Sequence, residues 1–390
     1  MRIFRAGTGF VACFVILLLG GCQTVGDAYD SWFGRSRPAQ KPAELTAIQP
    51  TAVPKIVWQG NVGGAGNDAF FPAAAGNVVY AGGAGGQIGG FDVASGRQVT
   101  RIEVGQRISG GVGSGGAMVL AGTSKGEVLA FGRDGKQIWK VQVSGEVLAP
   151  PVMQDGIVVV RAGDGRLFGL DAVDGRRKWT YQRATPALSV RNHAGVVVDR
   201  GAVFAGFAGG RLVAITLSNG NVGWESVVAL PRGATELERV ADITSLPVVD
   251  GRQVCAVAFQ GRVACFDLLR GTTLWARDMS SVAGMDVDSG YVYITDDKDA
   301  VVALDKTSGA SIWKQSKLAN RNVSGPLALG RYVVVGDLQG YVHFLSREDG
   351  SFAARIATDG SAIGAPPVAL NSNSLVVQTR NGGVFAISVQ

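Results

Sequence analysis

One pattern recurs along most of the chain and limits what it can fold into. It is a β-branched run, a turn, a glycine, a short strand often ending in Asp, a second turn glycine, and Trp four residues on. The clearest copies are Ile157-Val158-Val159-Val160 … Gly165 … Leu170-Asp171 … Gly175 … Trp179 and Val254 … Gly261 … Phe266-Asp267 … Gly271 … Trp275. The second turn glycines align as Gly96, Gly135, Gly175, Gly220, Gly271, Gly309 and Gly350, and five of them precede Trp139, Trp179, Trp224, Trp275 and Trp313. Thr100 and Ala354 occupy the Trp position in the first and seventh copies. A period near 40 residues holding about four strands is the signature of a β-propeller, whereas a helical solenoid would need a 3.6-residue periodicity that this sequence lacks.

Seven copies are explicit, and an eighth starts at Pro366-Pro367-Val368, runs through Val384-Phe385-Ala386-Ile387, and stops before its turn glycine and Trp. The missing strand is expected at the other end, in Lys55-Ile56-Val57-Trp58-Gln59. Such an exchange joins the chain ends and removes open sheet edges. The expected fold is all-β: an eight-bladed β-propeller of four-stranded antiparallel blades, with an N-terminal strand completing the last blade. A tryptophan at a fixed point of each outer strand fills the widening gap between twisted sheets. Asp92, Asp171, Asp267 and Asp305 are expected to accept hydrogen bonds from backbone groups in the turns that follow them.

The N-terminus reads as an address. Arg2 and Arg5 precede the apolar run Phe10 to Leu19, which is about half of the roughly 20 residues needed to cross a bilayer. Leu19-Gly20-Gly21-Cys22 follows and resembles the lipobox of bacterial lipoproteins, in which the cysteine is acylated and becomes the first residue of the mature chain. Gln23 rather than Asp after that cysteine implies sorting to the outer membrane. Residues 1–21 are therefore expected to be a signal peptide, 22–54 a lipidated N-terminus and flexible, proline-bearing tether, and 55–390 the propeller. Acyl chains at about 0.8 kcal/mol per buried methylene anchor firmly without a spanning segment. Losing residues 1–21 removes two arginines and no acids, so the net charge falls from +6 to +4. A mild excess without a Lys/Arg-dense run does not support nucleic-acid binding.

Of the four cysteines, Cys255 and Cys265 remain inside the propeller once Cys13 leaves with the signal and Cys22 carries lipid. They flank a hairpin turn at Gln260-Gly261. A two-residue turn would set Cys255 opposite Phe266, and a three-residue loop would align the cysteines. A disulfide and a pair of small buried apolar side chains are both open.

Catalytic signatures are absent. His193 and His343 lie in different repeats without metal-ligand spacing, so neither a metal nor a cofactor is expected. Gly111 to Gly116 formally satisfies GxGxxG, but a strand pattern follows it rather than a helix. The blade motif resembles the repeats of pyrroloquinoline-quinone dehydrogenases, yet the vicinal cysteine pair of many such cofactor sites is missing and the chain is shorter than those enzymes. An enzyme of that class, or a propeller holding a small ligand such as a glycan or quinone in its channel, is the alternative to a scaffold.

Trp spacings locate the irregularity: 139 to 179 spans 40 residues and 275 to 313 spans 38, but 179 to 224 spans 45 and 224 to 275 spans 51. Both surpluses fall in links from one blade's last strand to the next blade's first, which emerge on one face. They cover about Tyr181 to His193 (loop one) and Ser226 to Ser245 (loop two). Apolar residues beside charge, Leu188-Ser189-Val190-Arg191 and Leu237-Glu238-Arg239, suit recognition. Together with the lipobox and eight repeats, Ala187-Leu188-Ser189-Val190-Arg191 and the segment 233–249 (GATELERVADITSLPVV) resemble the BamB family, lipoprotein subunits of the outer-membrane β-barrel assembly machinery. The resemblance covers essentially the whole mature chain. It implies a scaffold on the periplasmic face of a Gram-negative outer membrane, monomeric within a hetero-oligomeric complex and assisting folding and insertion of outer-membrane proteins. It also implies that the two loops contact the POTRA domains of BamA, through Leu188, Val190, Arg191 and Asp242, alongside other subunits and unfolded barrel substrates. Where the family pattern has a second acid two places after the first, this chain has Thr244.

Overall fold

The computed structural model describes residues 41–390 apart from Asn67, Thr185 and Ala187. The signal peptide and Cys22 lie outside the described residues. From Ala43 onward the chain forms eight four-stranded antiparallel sheets, the blades of a propeller. Blade 1 comprises strands Ala73–Ala75, Val78–Gly82, Gln87–Asp92 and Gln98–Glu103, and blade 3 comprises Val152–Gln154, Ile157–Arg161, Leu167–Asp171 and Arg177–Tyr181. Blade 8 is built as expected from both ends of the chain. Its strands Val368–Asn371, Ser374–Gln378 and Gly383–Val389 are completed by Pro54–Asn61, whose register runs from Pro54 opposite Val389 to Asn61 opposite Gly383.

The recurrent Gly and Trp belong to one contact, but across blades. Each Trp of an outer strand donates its indole N–H to a carbonyl of the next blade: Trp139 to Ala172 at 2.9 Å, Trp179 to Leu217 at 2.7 Å, Trp275 to Lys306 at 2.8 Å. Trp58 of the closing strand donates to Val93 of blade 1 at 2.8 Å, so the ring closes through the same bond. The receiving glycine takes a positive φ and lies under the indole. At Gly309 a Cβ would sit 2.4 Å from Trp275, and at Gly350 2.4 Å from Trp313. Any larger residue would push the blades apart. Truncating a buried Trp of this kind costs about 3–5 kcal/mol.

Where Trp is missing, the chain substitutes. In blade 1 the Thr100 hydroxyl donates to the Arg133 carbonyl of blade 2 at 3.1 Å. In blade 7 Ala354 shares its core with Ala52, whose N–H donates to the Ala353 carbonyl at 3.3 Å. The aspartates behave as the turn reading requires: Asp171 accepts from Val173 N–H at 2.8 Å, Asp267 from Leu269 and Arg270, and Asp305 from Thr307 and Ser308. Gly110–Gly115 and Met118–Gly122 form adjacent strands of blade 2, so the glycine-rich hexad opens a hairpin and no helix.

Cys255 lies directly opposite Cys265, and the two form a disulfide. Phe259, Gln260 and Gly261 make the three-residue loop that aligns them, since the Ala258 N–H still bonds to the Arg262 carbonyl at 2.9 Å. Counting from that bonded pair, the cysteines fall on a non-hydrogen-bonded pair, the position at which cross-strand side chains come closest.

Candidate functional site

Loop one, between blades 3 and 4, and loop two, between blades 4 and 5, meet over blade 4. The joint is the Asp242 carboxylate. One oxygen accepts the Val190 N–H of loop one at 2.7 Å, and the other accepts the Gly209 N–H at 3.0 Å. Asp242 is itself 1% exposed, and its carbonyl takes the Phe259 N–H of the blade 5 hairpin at 2.8 Å. Of the four positions implicated by family resemblance, this one faces inward and organises its neighbours. Thr244 is buried as well, and its hydroxyl makes no hydrogen bond with described residues.

Ala241 and Ile243 flank Asp242 in the core between blades 4 and 5, so the alternation of a strand continues into the loop. Gly206 makes room, since a Cβ there would lie 2.2 Å from Ile243. Upstream, the Glu238 carboxylate accepts the N–H groups of Ala234 and Thr235, while the Thr235 hydroxyl accepts the Glu238 N–H. This reciprocal pair resembles a helix capping box and stiffens a single turn. The same bonds hold the Glu238 carboxyl below its usual range. At the tip Leu237 is 71% exposed.

Loop one is pinned at successive residues. Beside Val190, Arg191 makes a two-pronged ion pair with Glu146 of the blade 2 to 3 link, with Nε and Nη2 each at 3.0 Å. That hydrogen bonding raises the guanidinium above its ordinary value. Val190 is half-buried, and Leu188 stands out at 44% exposed. Below the loop, Arg161 lies 5.2 Å from the centre of the Phe207 ring. Burial lowers it to about 10, against the pull of the Asp242 charge. Glu146 and Arg161 were not visible as site residues in the sequence. Each belongs to a blade of ordinary length, and only the fold brings them beneath the insertion.

The two loops also border the central channel. A cavity of about 700 Å³ is lined by Val190 and His193 from loop one, Thr244 and Ser245 from loop two, Met285 from blade 6, and Phe71. Phe71 lies on the long link 62–72 between the closing strand and blade 1, a third irregular stretch that Trp spacings counted from 139 onward do not register.

The family model described as outer membrane protein assembly factor BamB matches residues 84–315 and 298–390. Proteins named outer membrane protein assembly factor BamB are similar over nearly their full length. The one from Nitrosomonas eutropha is 45% identical over 100% of this chain and 97% of its own, and that from Burkholderia pseudomallei is 41% identical over 99% of each. The crystal structure of BamB from Moraxella catarrhalis superposes with a TM-score of 0.79 at 27% identity, covering 86% of this chain and 100% of that one. A quinohemoprotein alcohol dehydrogenase from Comamonas testosteroni reaches 0.70 at 12% identity over 86% of this chain and 76% of its own, a likeness of fold alone. By sequence along its whole length and by architecture, this chain belongs to the BamB family of outer membrane protein assembly factors.

Proposed function

We propose that the chain is a non-enzymatic scaffold that docks through the loop face of blades 3 to 5 on the periplasmic POTRA domains of BamA and assists the folding and insertion of outer-membrane proteins. Cys22 would carry the lipid that holds it at the periplasmic face of the outer membrane. The observation that carries this reading is the clamp at Asp242 and Glu146. It fixes two loops against each other so that Leu188, Leu237 and Arg191 face outward on a rigid base. A preorganised apolar and cationic surface loses little entropy on binding. The extra chain in the two loops, about 16 residues beyond two 40-residue repeats, falls below the roughly 20 to 30 residues per side of a standard interface, so flanking turns such as the one holding Glu146 belong to the surface.

The test is co-purification from detergent-solubilised membranes, comparing the wild type with a Leu188→Ala, Arg191→Ala double variant of unchanged melting temperature. Loss of the β-barrel subunit from the variant alone is expected, and equal recovery from both would overturn the loop-face assignment. The apolar lining of the channel favours a second reading, a small ligand held at the channel mouth. Saturable binding of a small molecule that survives the double substitution would support it.

A further inference from the structure

Residues 43–53, ahead of the closing strand, lie against blades 6 and 7. Ala43 N–H donates to the Ala319 carbonyl at 2.9 Å, and Thr51 N–H donates to that of Ala353 at 2.8 Å. Leu45 packs on the cluster that contains Trp313 and Phe352. Two guanidinium groups hold carbonyls of this strap: Arg321 Nη1 donates to Ala43 at 2.8 Å and Arg355 Nη1 to Thr46 at 3.4 Å.

Behind them lies an enclosed ionic group. Arg321 is 2% exposed, and Asp337 and His343 are 0% exposed. One Asp337 oxygen accepts from Arg321 Nε at 2.8 Å and His343 Nε2 at 2.9 Å, and the other accepts the N–H groups of Gln339 and Tyr341. His343 Nδ1 accepts from Arg355 Nε at 3.1 Å. A guanidinium only donates, so Nδ1 carries no proton, and the imidazole is neutral with its hydrogen on Nε2 toward Asp337. Burying so many ionisable groups is costly unless each is matched. Neither the loop face nor ring closure uses this cluster.

We propose that residues 43–53 form a releasable strap latched by neutral His343. A second proton would turn Nδ1 from acceptor to donor, unseat Arg355 and free the strap. The groups around the imidazole are Asp337 on the preceding turn, Arg321 on the blade 6 to 7 link, Arg355 and the Phe352 ring on the outer strand, and Tyr341 on its own strand; Glu44 of the strap is exposed. Burial pushes the imidazole down, Asp337 pulls it back up, and the charges of Arg355 and Arg321 push it down again, with the net shift downward. A depressed histidine stabilises the latched state above its unfolded value of about 6.5, and that stability is lost as pH falls through the folded value. With Cys22 as the lipid anchor, a reading the proposal adopts for its consequence, freeing these 11 residues would lengthen the tether by roughly 35–40 Å at about 3.3–3.6 Å per residue.

The test is hydrogen exchange of the full-length protein in detergent, following the peptide 43–53 at pH 7.5 and pH 5, each corrected for intrinsic exchange. In the wild type, protection is expected to fall at least about tenfold at pH 5 while blade 3 peptides stay protected. In His343→Gln that pH response is expected to vanish, and Arg355→Met is expected to loosen the strap already at pH 7.5. An unprotected strap at pH 7.5, protection that persists at pH 5, or a pH response that survives His343→Gln would each overturn the latch. None of these readouts depends on the lipid or on partner capture.

Discussion

The loop face and the strap side solve the same problem in opposite ways. Each must hold an irregular segment against regular blades, and each does so with one enclosed carboxylate. Asp242 spends both oxygens on backbone N–H groups and leaves the cation beside it, Arg191, to a half-exposed Glu146. The segment it holds keeps Leu188 and Leu237 in solvent. Asp337 gives one oxygen to backbone N–H groups and the other to the side chains of Arg321 and His343, and the strap it governs covers core residues. Neutral backbone donors give a firm base for a displayed surface. A histidine and two arginines give a closure that a proton can disturb.

Breaking this contrast should yield graded effects. Asp337→Ala would leave Arg321 buried without its carboxylate, and a loss of about 3–5 kcal/mol is expected in chemical denaturation. A smaller loss would mean that water replaces the carboxylate and that the cluster is less sealed than its geometry implies. Asp242→Ala orphans two N–H groups and removes the charge nearest Arg161, for an expected loss of about 2–4 kcal/mol. It should abolish partner capture through the disordering of loop one, seen as faster exchange across 186–194. Leu188→Ala is expected to change stability by less than about 0.5 kcal/mol and yet to weaken capture. If Leu188→Ala also speeds exchange in the loop, display and support are not separate and the comparison fails.

The scaffold was legible in the sequence because its defining contact repeats. Gly and Trp recur at fixed spacing, and even the exchange that places Trp58 in blade 8 could be read from a repeat that stops early. Loop positions were legible from length. Their inner workings were not: Asp242 is an acid in a loop where charge ordinarily faces solvent, and its burial follows from Ala241 and Ile243 entering the core on either side. Glu146 meets Arg191 across 45 residues of sequence. The strap lies within the stretch read as a tether, where Pro42, Pro50 and Pro54 signal irregular backbone but say nothing about whether that backbone is docked.

The closing strand carries a consequence for the order of events. Synthesis runs from the N-terminus, so Pro54–Asn61 is among the first of the propeller strands to exist, and its partner Gly383–Val389 is the last. Until that final strand arrives, the strand meant to seal the ring has only open edges to offer, and an open edge pairs with whatever is near. Seven blades can assemble locally as they appear, while the eighth must wait for the whole chain. The propeller's first-made strand is thus the one that waits longest for its partner, and the charged and polar residues Lys55, Gln59 and Asn61 exposed along it are where protection against mispairing is built in.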